Sequence, residues 1–279
     1  MKLLVPTLAL AVIAAFVLLG ASHTPPAPRP IRVAVIGGMA ETGFWPALAA
    51  RYEQETGRQV EIVATGPKGP IAAAFRKGKA DLISMHSSDT VINLVADGLA
   101  LDPQPWLRND LIIVGPPDDP AGIKGMTDAA MALKKLSKSD ARFVVHASLG
   151  AQEVLHDVLE TADVSLAPER TTILMADKGR EVLAIAAKEH AYTLVGRIPF
   201  LSHKLPGAGQ VIMVQGDPRL RRPYLVCTAN PRKFPDANAE GAVDLARYLR
   251  LPSTQAWVAQ FGKGQLDDRP LFFPVDIDR

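Results

Sequence analysis

The run Leu111-Ile112-Ile113-Val114, closed by Gly115-Pro116-Pro117, constrains this chain more than any other stretch. No polar residue alternates with the apolar ones, so a strand here must be buried on both faces. The prolines and glycines that follow, through Pro120, Gly122 and Gly125, stop it abruptly. One set of α/β units precedes the run and a fresh set follows, which makes it the strand that leaves one lobe for another. A matching return is expected near Tyr224-Leu225-Val226-Cys227-Thr228, between Pro223 and Asn230-Pro231. Two crossings between two α/β lobes make a hinged clamshell, with a first lobe over 31–112 and 228–279 and a second over 113–227.

The units themselves follow from periodicity. Ile31 to Ile36 reads as a strand, Gly37-Gly38-Met39-Ala40-Glu41-Thr42-Gly43 as a glycine loop, and Trp45, Leu48, Ala49 and Tyr52 as one stripe of a helix ended by Gly57. Val60–Ala64 is the next strand, Pro67-Lys68-Gly69-Pro70 a tight loop, Ile71–Arg76 a short helix, and Ala80–Met85 a third strand. Strand, helix and strand in this order predict parallel pairing, with the loops at the strand carboxyl ends facing one crevice. In the second lobe, helices are expected over Asp128–Leu136, Gln152–Leu159 and Gly179–Lys188, and strands over Arg142–His146, Tyr192–Val195 and Val211–Val214. Glu240–Leu249 and Gln255–Phe261 are helical segments that return to the first lobe.

Ahead of these units, Met1-Lys2 and an apolar run from Leu3 to Ala21 have the outline of a secretory signal peptide over 1–22. The length of the run leaves an uncleaved membrane anchor open. No cysteine follows it, which excludes lipoprotein anchoring. The proline-rich stretch 23–30 reads as a tether. The formal charge of +2 falls to +1 once Lys2 leaves with the signal, a balance that points to neither nucleic acid nor a membrane surface as partner. The one cysteine, Cys227, forms no internal disulfide and sits in an apolar strand.

Enzymatic motifs are missing. The six histidines show no paired zinc spacing, no Gly-x-Ser-x-Gly elbow surrounds Ser148, and the phosphate-loop pattern is absent. A transcription regulator's effector-sensing domain is disfavoured by the export signal and the lack of a helix-turn-helix segment.

Asn109-Asp110, then Val114-Gly115-Pro116-x-x-Asp119-Pro120-Ala121-Gly122-Ile123-Lys124-Gly125, resemble the hinge segment of the periplasmic tungstate-binding components of ABC transporters. Gly216-Asp217-Pro218-x-Leu220-x-x-Pro223-Tyr224, Asn230-Pro231-x-Lys233, Ala191-Tyr192-Thr193-Leu194 and Gln260-Phe261-Gly262 are similar to further stretches of that family. The resemblance spans about Ile31 to Phe273. It implies an α/β, two-lobe type II periplasmic-binding-protein-like fold and a small oxyanion, tungstate- or molybdate-like, held between the lobes. It also implies a monomer that hands its ligand to an ABC permease, with no cofactor. The alternative is a sensor or adaptor of the same fold with altered or lost ligand binding.

A desolvated oxyanion needs several hydrogen-bond donors and usually a guanidinium. The family supplies them from a hydroxyl-rich first loop, a Gly-Thr-Gly second loop and an Arg-bearing stretch in the second lobe. Here the resemblance aligns these with Gly37, Gly38 and Met39, with Thr42 just downstream; with Lys68 and Gly69; and with His146, Ala147 and Ser148. His86 and Ser87 follow the third strand, and Arg197 follows the strand at Tyr192. All twelve are candidate ligand contacts, and dependence on His146 would make the pocket sensitive to pH. Plainer readings stand beside them: Lys68 solvated on its loop, His86 a structural histidine, Gly37-Gly38 a tight turn, and Arg197 in a salt bridge inside the second lobe.

Overall fold

The structure, a computed structural model, describes residues 29–146, 149–175, 181–205 and 209–276. The expected signal peptide and most of the expected tether lie outside the described residues.

The first half of the chain runs β1 (Ile31–Ile36), α1 (Gly37–Glu41), α2 (Phe44–Thr56), β2 (Val60–Gly66), α3 (Lys68–Arg76), β3 (Leu82–His86), α4 (Asp89–Ala96) and β4 (Ala100–Gly115). Next come α5 (Ala129–Ser137), β5 (Arg142–Val145), α6 (Leu149–Ala162), β6 (Thr171–Ile173), α7 (Val182–Lys188), β7 (Ala191–Gly196), α8 (Arg197–Leu201) and β8 (Val211–Val214). The chain closes with β9 (Arg221–Ala229), α9 (Ala239–Leu249), α10 (Pro252–Val258) and β10 (Phe273–Pro274).

The strands line up as β2-β1-β3-β9-β4 and continue as β4-β7-β5-β6, with β10 and β8 also paired to β4. Strand β4 is therefore common to both halves. Its residues Ala100 to Asp110 pair antiparallel with β9, and Leu111 to Val114 pair antiparallel with β7. The apolar run is explained by what each face meets. Leu111 and Ile113 enter a core built with Leu133, Leu136 and Val158, whereas Ile112 and Val114 enter another with Val182, Ala186 and Val195. Burying each such side chain contributes about 1.5–3 kcal/mol, so a polar residue at any of the four positions would face a core.

The first half is organised in the same way. Val33 and Val35 of β1 face an aromatic core that includes Phe44, Trp45, Trp106 and Phe272, while Ala34 faces a smaller core around Phe75 and Ile83. Strands β2 and β3 flank β1 in parallel, as the order of units predicts. Strand β9 lies antiparallel between β3 and β4.

Four sequence expectations need correction. Gly37 to Glu41, expected as part of a glycine loop, form the short helix α1. Lys68 to Pro70 do not form a loop but open α3, with Pro67 in the N-cap position. Pro70 fits there because the first-turn N–H groups of a helix have no intrahelical partner to lose. Strand β4 starts eleven residues before Leu111, in a half whose residues Leu101 to Pro103 are exposed and give no apolar signal. The return crossing, placed at Tyr224–Thr228, occurs earlier: these residues already lie inside the first sheet, and the chain enters it at Arg221. The turn before β9 is set by Asp217, whose carboxylate accepts from the N–H groups of Ala129 at 2.6 Å and Arg219 at 2.9 Å.

Candidate functional site

The two halves enclose a cavity of about 350 Å³ whose lining comes from both. Its floor is fixed by the β3-β9-β4 register, in which His86 stands opposite Tyr224 and Asn109 opposite Arg222. Alternation along a strand puts Arg222 and Tyr224 on one face of β9 and Asn109 and Leu111 on one face of β4. All four line the cavity, together with His86 at the end of β3. From the other half come His146 after β5, Ala151 of α6, and Val195, Gly196, Ile198 and Pro199 around the β7–α8 junction.

Arg222 carries the charge. Its Nη2 donates to His86 Nε2 at 3.2 Å, and its Nε is buried without a hydrogen-bond partner. A guanidinium only donates, so His86 Nε2 must be the acceptor and the ring proton sits on Nδ1. Asn109 Nδ2 approaches the same Nε2 at 3.4 Å, which leaves Asn109 Oδ1 buried and unpartnered. The imidazole lies against the Tyr224 ring at a tilt of 39°, with ring centroids 4.2 Å apart. Burial, then the charges of Arg222 and Lys68, hold the His86 imidazole well below its ordinary value, so it is neutral at pH 7. A neutral holder leaves the guanidinium charge unspent, which a carboxylate holder would not. The helix α6 packs against the same group: a Cβ on Gly150 would come within 2.7 Å of Arg222 Nη1, so a side chain there would displace the guanidinium.

The sequence-predicted residues divide. Gly38, His86 and His146 line the cavity. Gly37 instead packs against the chain, where a Cβ would meet Glu41 and the Gly66 backbone at 3.1 and 3.2 Å. Met39 is fully buried in the aromatic core and faces no ligand. Thr42 spends its hydroxyl on Gly38 O at 2.7 Å, at the C-terminal end of α1. Gly69 is exposed on α3, and Ser87 donates its N–H to Pro223 O at 3.0 Å; neither lines the cavity. Lys68 is half-buried outside the lining, and burial and the neighbouring Arg222 lower its ammonium from the usual range. Ala147 and Ser148 lie outside the described residues.

Arg197 is a structural residue. It is fully buried; Nε donates to Asp110 at 3.2 Å, Nη1 to both oxygens of Asp267 at 2.7 and 2.8 Å, and Nη2 to Pro270 O. The salt bridge expected inside the second lobe instead ties α8 to β4 and to the C-terminal segment, because Asp110 sits where β4 passes between the two halves. Arg269 Nη2 completes the group on Asp110 Oδ2 at 2.7 Å.

Sequence reasoning missed Arg222 and Asn109. The signal was present in Arg221-Arg222, where two cations precede an otherwise apolar strand, but only the β4–β9 register brings Arg222 opposite Asn109. Among the described residues no cluster of histidines, cysteines or carboxylates could hold a metal ion, and no helix is long and apolar enough to cross a membrane.

What the arrangement can do is hold an anion between two halves. Comparison with known proteins agrees. The chain matches the family described as bacterial extracellular solute-binding protein over residues 31–262. It is 30% identical over 249 residues to the tungstate-binding protein TupA of Peptoclostridium acidaminophilum, covering 88% of this chain and 85% of that one. In three dimensions it is similar to the tungstate-binding protein TupA from Desulfovibrio alaskensis G20, with a TM-score of 0.71 at 24% identity over 88% of this chain and 99% of that chain. The tungstate ABC transporter structure from Geobacter sulfurreducens gives a TM-score of 0.66 at 26% identity over 84% and 99% of the two chains. The fold is thus the mixed α/β fold of periplasmic binding proteins, in a class that binds and does not catalyse, and the chain belongs to the bacterial extracellular solute-binding proteins.

Proposed function

We propose that this chain captures a small oxyanion in the cleft between its two halves and delivers it to the permease of an ABC importer. The observation that carries the reading is Arg222, a partly buried guanidinium held by a neutral histidine in the wall of the cleft. A cation in such a place attracts an anion with little competition from water. Relatives described as tungstate-binding support an oxyanion as the ligand class. The contacts fall to Arg222, His86 and Asn109 from one half and to His146 from the other, with Gly38 giving the ligand close access to the backbone. The protein works as a monomer, in the periplasm, after removal of its signal peptide.

Thermal unfolding with tungstate, molybdate, sulfate, phosphate and small carboxylates tests the reading. A ligand that binds only the folded state raises its apparent stability by mass action. At least one anion should raise the midpoint in the wild type and fail to do so in Arg222→Gln. A midpoint unmoved by every anion would refute the reading.

A further inference from the structure

The cavity wall is largely apolar, and this bears on which oxyanion fits. Ile36, Leu111, Val195, Ile198 and Phe272 line it, and no serine or threonine hydroxyl does among the described residues. A bare tetrahedral dianion must be met by donors on all sides, because each unmatched oxygen costs desolvation energy. Here the charged donor is concentrated on one side. Lys204, the other cation in the lining, is paired to Glu41, so neither is left to favour or repel a ligand charge.

The second observation is Asn109 Oδ1, a buried acceptor without a partner in the same wall. Its amide orientation follows from the neighbours: Nδ2 must face His86 Nε2, since that nitrogen already accepts from Arg222. A deprotonated metal oxyanion brings no donor and would leave Oδ1 unsatisfied. A ligand hydroxyl would satisfy it. An ammonium group suits the site less, because at Asn109 it would sit beside the Arg222 guanidinium, which shares His86 Nε2 with the Asn109 amide.

Resting on the reading of the cleft as an anion-capture site, we propose that the oxyanion is the carboxylate of a small hydroxy acid with an apolar body. The carboxylate accepts from the Arg222 guanidinium, the hydroxyl donates to Asn109 Oδ1, and the hydrocarbon part lies against Leu111, Val195 and Phe272. A pocket of this volume and character is that of an organic ligand.

Calorimetric titration of the protein with 2-hydroxyisovalerate, isovalerate, valine, tungstate and molybdate provides the test. The hydroxy acid should bind at least about tenfold more tightly than isovalerate, the loss expected when a site built around a hydroxyl finds none, and more tightly than valine or tungstate. Asn109→Ala should bring the ratio of hydroxy acid to isovalerate close to one. Arg222→Lys, which keeps the charge but loses the planar fork, should weaken the hydroxy acid by about tenfold or more. Unliganded unfolding midpoints establish that both variants fold. Tungstate or molybdate binding more tightly than any carboxylate, with loss in the Arg222 variant, would overturn the inference and leave the anion-capture reading intact. Isovalerate or valine matching the hydroxy acid would also overturn it. Absence of binding by both classes would overturn the inference, and the reading beneath it would fall with it only where sulfate and phosphate also leave the unfolding midpoint unmoved.

Discussion

At the scale of single residues, His86 links recognition to stability. Its folded-state value is depressed from 6.5 by burial and by Arg222 and Lys68, so the unfolded chain takes up a proton first as pH falls. The stabilisation is complete above about pH 6.5 and diminishes below it, down to the folded-state value. Denaturant titrations at pH 7.5 and 5.5 should therefore show lower stability at the acid pH, and His86→Gln should show a smaller difference. An equal or larger difference in the variant would place the acid sensitivity elsewhere. Cys227 provides a second check. It is fully buried, and burial pushes its thiol up to about 12, so a thiolate reagent should leave it unmodified in the native protein and label it on unfolding. His86 was legible in the sequence as a candidate because it ends a strand, at the edge where such sheets bind ligands. Arg222 was not, because a cation beside another cation at the start of a strand reads as a solvated edge until its cross-strand partners are known.

At the scale of elements, the segment from Val114 to Gly125 was legible as a family resemblance, but the tyrosine that holds it, 73 residues from Asp119, was not. Tyr192 of β7 donates its hydroxyl to Asp119 Oδ1 at 2.7 Å and accepts from Ala121 N at 2.9 Å, while Asp119 Oδ2 accepts from Lys124 N at 2.8 Å. Gly115 is required where Tyr192 crosses β4, since a Cβ there would lie 2.4 Å from the ring. Asp119 itself takes φ 46°, a conformation that aspartate tolerates better than most residues. Tyr192→Phe should cost about 1–3 kcal/mol of stability, because it strips partners from a buried N–H and a carboxylate; chemical unfolding measures it, and an unchanged midpoint would show that water replaces the hydroxyl. Helix α6 makes a prediction of its own. Gly150→Ala pushes a methyl group onto Arg222 Nη1, so anion affinity should fall by about tenfold or more while the helix gains propensity. Less legible were the short elements β6, α8 and β10, which have too few residues to show a period and form because longer neighbours offer them an edge or a surface.

At the scale of the whole molecule, two groups of ion pairs among the described residues lie between the halves, and their burial assigns them different roles. The group of Arg197, Asp110, Arg269 and Asp267 holds α8, β4 and the C-terminal segment together at the crossing. Asp110 and Arg197 are nearly or fully buried there, so removing one partner would strand a charge at a cost of about 3–5 kcal/mol. A hinge motion of the halves is expected to turn about this group and leave it intact. The pair Glu41–Lys204 joins α1 to the chain after α8 beside the cavity and is half exposed. An exposed pair contributes about 0–1 kcal/mol, too little to hold two lobes shut without help. A ligand that touches both halves supplies the rest, since its differential affinity for the closed form sets the equilibrium. Small-angle scattering should therefore show a smaller radius of gyration with saturating ligand than without, and Lys204→Ala should leave that ligand-induced change in place. Affinity in the Lys204 variant should drop by no more than about fivefold, in line with the worth of an exposed pair. Identical scattering with and without a ligand shown to bind would mean that the pivot alone fixes the closed arrangement, and that ligands enter through the mouth without any movement of the halves.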